Sequence, residues 1–214
     1  MSEDGPMSTG DTVYHEGSRS LQDAFDSRRM ADRMSSSVRP RIKDDQREFI
    51  ERCDMFFVAT ADADGRPQCN YKGGDPGFVR VIDDETIAYP DYNGNGMFLT
   101  LGNALVNPHV GLLFISFEER RRLRLNGVAT LDREDPLLVE YPEGQLIVRV
   151  RVEQVFPNCP RYIHHYRLVE RSRFVPKAEC ETPVPRWKTQ QVTLDDLPAG
   201  DPARDPGREV IWKG

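Results

Sequence analysis

Residues 110–131 read VGLLFISFEERRRLRLNGVATL, and this stretch decides the fold class. Val110 to Phe117 is a continuous apolar run, the pattern of a central strand. Arg121 to Leu131 then alternates. Arg122, Arg124 and Asn126 fall on one side and Leu123 and Leu125 on the other. Side chains on a strand point to alternate faces, so this is a strand with one buried face. Working outward, QLIVRVRVEQVF (145–156) alternates again, with Arg149 and Arg151 facing away from Val148, Val150 and Val152. Upstream, MFFVATAD (55–62) reads as a buried strand, and Asp64-Gly65 is a hairpin signal. PQCNYKG (67–73) is a second strand, and GFVRVIDDETIAYP (77–90) gives two more around an Asp83-Asp84 turn. NGNGMFLTLGNALVNP (93–108) reads as a short helix, N-capped by Asn95 and ended by Asn107-Pro108. Six or seven strands with tight turns and one inserted helix predict a mainly β fold, a small antiparallel barrel over 41–156 with flanking helices.

Two extensions flank it. Residues 1–40 form the N-terminal one: residues 1–18 are polar and read as mobile, and SLQDAFDSRRMADRM (20–34) reads as one amphipathic helix carrying Leu21, Phe25 and Met30. KDDQREFIERC (43–53) is a second helix, with Asp44 and Asp45 in its first turn and Phe49 and Ile50 facing the core. Residues 157–214 form the C-terminal extension. A helix is expected in the middle of 157–176. After Ala178 a proline-rich polar stretch is extended, wraps a partner surface at a subunit interface, or is disordered.

Composition narrows the function. The 214 residues are 38% apolar and 30% charged, with a net charge of -6. That acidity argues against general binding to nucleic acid or anionic membrane. No apolar run approaches the ~20 residues that span a bilayer, and the first residues do not read as a secretory signal, so a cytoplasmic location is the expectation. Cys53, Cys69, Cys159 and Cys180 have no CxxC spacing and are expected to be buried or half-buried thiols. No histidine pattern predicts a metal. Nucleophile elbow, phosphate loop and dinucleotide fingerprint are all absent.

Polar groups nevertheless occupy odd places. CNYKGGDPGFVRVIDD (69–84) places Lys72, Gly73, Gly74 and Gly77 within strand-forming sequence. Either the glycines mark a bulge or corner, or something flat and anionic lies against their backbone. Arg122, Arg124 and Asn126 line one strand face. They either form a solvated face with ion pairs or supply charge to an anion. The residues around Asn95-Gly96 open a helix whose free N–H groups suit an anion.

The order YKGGDPGFVRV, YPDYNGNGM, a helix ending NPHVGLLF, then RLRLNG and FPNCPRYIH resembles the pyridoxamine 5′-phosphate oxidase-like, FMN-binding split-barrel family, most closely a bacterial branch distinct from the vitamin B6 enzyme itself. The resemblance covers about residues 45–190. It implies an FMN-dependent oxidoreductase, a homodimer with flavin in clefts at the subunit interface, acting on a small organic substrate or nicotinamide. It also implies a site. Asn70, Tyr71, Lys72 and Gly73 would run along the flavin ring, with Pro90 nearby. Asn95, Gly96 and Met97 would receive the phosphate. Arg80, Arg122, Arg124 and Asn126 would add charge and hydrogen bonds. Asn158 and Arg161 would approach from the other subunit, with Cys159 and Tyr162 on the substrate side. The sequence departs from the vitamin B6 enzyme in having no cation among Asn95, Gly96 and Met97 and in lacking its C-terminal arginine-rich segment. Alternatives within the resemblance are a flavin-storing protein without turnover, or a protein binding deazaflavin F420 or haem.

Overall fold

A computed structural model describes residues 13–212, so the expectation of mobility for residues 1–12 lies outside them. Helices α1 (Glu16–Ala24), α2 (Arg28–Ser35) and α3 (Asp44–Arg52) come first. The first begins within the stretch expected to be mobile, where the His15 side chain accepts from the Ser18 N–H. The single helix expected over 20–34 is two. Asp26 takes a left-handed φ of 47° and breaks the run, and aspartate tolerates that region better than most residues. Leu21, Phe25 and Met30 are exposed, so their apolar stripe is not covered by the described residues. Helix α3 behaves as its sequence predicts: Phe49 and Ile50 are fully buried, and Gln46 returns its side-chain oxygen to the Lys43 N–H at 3.0 Å.

Then follow β1 (Met55–Ala61), β2 (Pro67–Gly73), β3 (Arg80–Val81), β4 (Thr86–Tyr92), α4 (Leu99–Val106), β5 (His109–Ser116), β6 (Arg121–Asp132) and β7 (Gly144–Pro157). They form a seven-stranded antiparallel sheet in the order β2-β1-β5-β6-β7-β4-β3. The sheet curls on itself. Phe56 on β1 and Tyr89 on β4 are four strands apart in that order, yet their rings meet edge to face at 5.0 Å. Phe114 of β5 and Phe78 join the same cluster at 5.2 and 5.8 Å. Each fully buried ring or branched chain there contributes roughly 1.5–3 kcal/mol. The alternation read in β6 holds: Leu123 and Leu125 are buried, while Arg124 faces out.

Beyond residue 157 two expectations are corrected. No helix occupies the middle of 157–176; the chain runs irregularly over the β5–β6 turn, where the Tyr166 N–H reaches the Phe117 carbonyl at 3.4 Å. Prolines at 157 and 160, and side chains exposed through 161–172 apart from a half-buried Ile163, leave a helix neither start nor buried face. The proline-rich end is folded, in part as extended strand. It folds into β8 (Val184–Pro185), helix α5 (Gln191–Asp196) and β9 (Val210–Ile211), with β8 and β9 pairing in parallel. No helix is long and apolar enough to cross a membrane among the described residues.

Candidate functional site

Strand partners point to the same face, and this rule divides the expected site. Lys72 pairs with Phe56 and Asn70 with Val58, both core residues, so Lys72 and Asn70 turn toward the barrel's mouth. Tyr71 pairs with Phe57 and turns outward.

The inward pair opens a cleft of about 280 Å³ between β2, the end of β4 and the start of α4. Lys72 Nζ lies 2.7 Å from Asp91 Oδ1, with the carboxylate side chain only 8% exposed. Asn70 donates to Thr100 Oγ1 at 3.1 Å, which ties β2 to α4. Asn103 donates to Thr60 Oγ1 at 3.2 Å and holds α4 on β1. Asn95, Gly96 and Met97 form the rim.

The helix start differs from its sequence reading. Asn95 is not the N-cap: its Oδ1 accepts from the Met97 N–H at 3.1 Å, and the helix begins only at Leu99. Gly96 at φ 77° and Phe98 at φ 48° turn the chain left-handed twice before the helix. A bulky residue in that region is uncommon and strained, and such strain gathers where backbone is shaped for a ligand. The N–H groups of Leu99, Thr100 and Leu101 have no partner within the helix, and all three residues line the cleft. The Thr100 hydroxyl, having accepted from Asn70, keeps its proton to donate. Helix N-terminus, ammonium and hydroxyl together favour an anion.

The remaining expected residues lie elsewhere in the chain. Arg80 sits on β3 and pairs with Glu140 at 3.0 Å. Pro90 is buried in β4 against Ile147 of β7. On the outer face, Tyr71, Phe57, Leu113, Arg124 and Phe156 stand in one cross-strand row over five strands. Asn126 donates to Gln154 Oε1 at 3.1 Å in the row beside it. Arg122 and Asn158 line a separate small cavity, where Arg122 Nε and Asn158 Oδ1 are buried without a hydrogen-bond partner. Gly73 lines a third hollow with Tyr71. Cys159, Arg161 and Tyr162 are exposed after β7. Hydrogen bonds from Arg161, with the charge of Arg122 nearby, lower the Cys159 thiol from its ordinary value. The cysteines are free; only Cys53 is buried, where desolvation pushes its thiol up to about 12, and the other three are exposed rather than half-buried. The described residues thus bring together Asn70, Lys72, Asn95, Gly96 and Met97. They leave Arg80, Pro90, Arg122, Arg124, Asn126, Asn158, Cys159, Arg161 and Tyr162 outside this cleft.

Asp91, Tyr92 and Thr100 were missed by sequence reasoning. Asp91 had a signal: in TIAYPDY it falls at the same parity as Ile87 and Tyr89, so its charge had to point inward. Burial pushes the Tyr92 hydroxyl up to about 12, helped by Tyr141 and Asp75, which keeps it a neutral donor.

The family model described as pyridoxamine 5′-phosphate oxidase matches residues 42–163, more than half of the chain. HupZ of Group A Streptococcus is 23% identical, with a TM-score of 0.45, over 54% of this chain and 93% of that one. HutZ, named as the heme storage protein from Vibrio cholerae, is 21% identical, with a TM-score of 0.41, over 55% and 94%. An FMN-binding protein from Syntrophomonas wolfei is 8% identical, with a TM-score of 0.39, over 66% and 96%. No curated protein matches.

Proposed function

The chain belongs to the pyridoxamine 5′-phosphate oxidase family, and from that premise we propose that it is an FMN-dependent oxidoreductase working as a homodimer. One observation carries this reading: the helix α4 N-terminus, Lys72 and the Thr100 hydroxyl converge on one cleft beside a glycine-bearing rim. That donor set fits a phosphate. The backbone N–H groups of Leu99 to Leu101 would hold its oxygens, and Lys72, shared with Asp91, would add charge without flooding the cleft with cations. Asn70 and Asn95 would orient the ring by hydrogen bonds. Bound FMN supplies hydride exchange with a small organic substrate or a nicotinamide. The chain's own task is then positioning and exclusion of water.

The outer face supports the dimer. Phe57, Leu113 and Ile115 are only partly covered, and they lie beside Arg124 and Phe156. A second copy seated there would cover this apolar row and bring its own residues 156–162 toward the cleft.

The test is a visible spectrum of the purified protein, then titration with FMN. Flavin absorption at one per chain supports the reading; a Soret band assigns haem, and absorption further to the blue assigns a deazaflavin. Replacing a charged hydrogen bond to phosphate removes about 1.5–3 kcal/mol, so Lys72→Met should weaken FMN binding at least about tenfold. The double variant Lys72→Met/Asp91→Asn avoids a bare buried carboxylate and should show the same loss with a normal melting curve. Wild-type affinity in that folded double variant removes Lys72 from the site.

A further inference from the structure

A second cavity, about 480 Å³, adjoins the first and shares Asn70, Tyr92, Gly94 and Asn95 with it. Its volume lies in the range of small-molecule sites, roughly 300–1,000 Å³. Its far wall comes from the C-terminal segment, from Phe174 to Ala203, entirely beyond residue 163 where the family match ends. So this wall belongs to what the chain adds to its family's barrel.

The wall's chemistry selects a ligand. Phe174, Trp187 and a set of prolines give flat apolar surfaces. Every carboxylate and ammonium group in the lining already has its partner. Lys188 Nζ meets Asp201 Oδ2 at 2.8 Å, with both side chains 3% exposed. The Asn93 side chain closes a ring with them: its oxygen accepts from Lys188 and its nitrogen donates to Asp201 at 3.2 Å. Burial alone would raise the Asp201 carboxyl, but the bonds from Lys188, the Ala203 N–H and Asn93 outweigh it and hold it below its ordinary value. Glu143 accepts from Arg208 at 2.7 Å and from the Thr182 N–H at 3.1 Å. A charged ligand would therefore lose hydration and find no free opposite charge. The other polar groups of the lining are neutral: the Tyr92 hydroxyl and the amides of Asn70 and Asn95 stand on the side facing the cleft, and the Thr182 hydroxyl, buried without a hydrogen-bond partner, stands on the far wall.

We propose that this second cavity is the organic substrate site and that it takes an uncharged planar ring, packed against Trp187 and hydrogen-bonded at its cleft-facing edge. The substrate assignment rests on the reading that the first cleft takes the flavin; the preference for an uncharged ring does not.

Three near-isosteric probes test it: benzamide, benzoate and benzamidine, which differ in charge but hardly in shape. Saturation-transfer NMR is recorded on the full chain with and without FMN, and FMN binding is titrated separately. Benzamide should receive saturation in both states, with benzoate and benzamidine at least about fivefold weaker. Trp187→Ala should abolish the benzamide signal and Trp187→Phe should keep it. Trp212→Ala should also keep it, since that indole stacks on Arg186 at 4.1 Å, outside the cavity. Equal or stronger binding of a charged probe, no binding of any, displacement of benzamide by FMN, or an unchanged signal in a folded Trp187→Ala each overturns the proposal. Trp187-dependent benzamide binding in a protein that fails to bind FMN would leave the cavity's preference standing and sink the flavin reading instead.

Discussion

The glycines of CNYKGGDPGFVRVIDD show how far a single residue can be read. Their density was legible, and the choice between close packing and ligand approach was not, because it depends on what the fold brings alongside. A Cβ on Gly74 would lie 2.4 Å from Cγ of Phe78, a ring 6% exposed in the core. Gly77 sits at φ 90° in the turn that swings Phe78 inward. Gly73 faces only the hydroxyl end of Tyr71, which is 56% exposed and can swing aside. So packing inside the chain explains Gly74, and a left-handed turn explains Gly77. Gly74→Ala should destabilise the protein by about 1–3 kcal/mol, as overpacking does. Gly73→Ala should stay within about 0.5 kcal/mol of wild type. Urea denaturation of both variants checks the contrast, and equal losses would count against it. Lys72 was legible as an odd charge in a strand. Its partner was not, because β2 and β4 meet only once the sheet curls.

Elements with strong periodicity were legible: α3, β6 and β7 stand where their patterns predict. Elements defined by tertiary support were not. The α4 start was placed too early because Asn95 is a good cap by composition, whereas left-handed turns at Gly96 and Phe98 delay the helix. One connection carries a pH prediction. Asp135, 5% exposed, caps the turn Pro136–Glu140 through the Leu137 N–H and pairs with Arg149 of β7 at 2.5 and 2.9 Å. The Arg149 hydrogen bonds hold its carboxyl below the usual range. A lowered folded value gives stability above the unfolded value near ~3.9 that is lost as the pH falls through the folded one. Arg149 is about a third exposed, so the pair is partly screened. Asp135→Asn should therefore lose about 1–2 kcal/mol at pH 7 and show a flatter stability profile below about pH 4. Parallel curves for the two proteins across that range would refute the assignment.

At the scale of the whole molecule, the barrel was legible and the placement of the expected arginines was not. Alternation gives a residue's face but not which site that face meets. Arg122, Arg124 and Asn126 were correctly placed on one side of β6, and that side is the outer one, away from the cleft of the same chain. If two copies meet there, Leu113 lies inside the contact. Sedimentation should give a dimer of the 24.5 kDa chain, and Leu113→Glu should give monomers with a folded circular-dichroism spectrum. A wild-type monomer would end the dimer proposal.

The sheet is also unequal in how it holds together. Between every neighbouring pair of strands runs a backbone ladder, except where β2 faces the end of β4. There, among the described residues, Lys72 and Asp91 form the tie, with Asn70 and Thr100 beside it. Parting the sheet elsewhere means breaking many backbone hydrogen bonds together; parting it here breaks one ion pair, one side-chain hydrogen bond and the Phe56–Tyr89 ring contact, and no backbone ladder. The barrel therefore has a seam. The groups that fasten the seam are the ones offered to an anion, so a phosphate bound there would act as a buckle as well as a ligand.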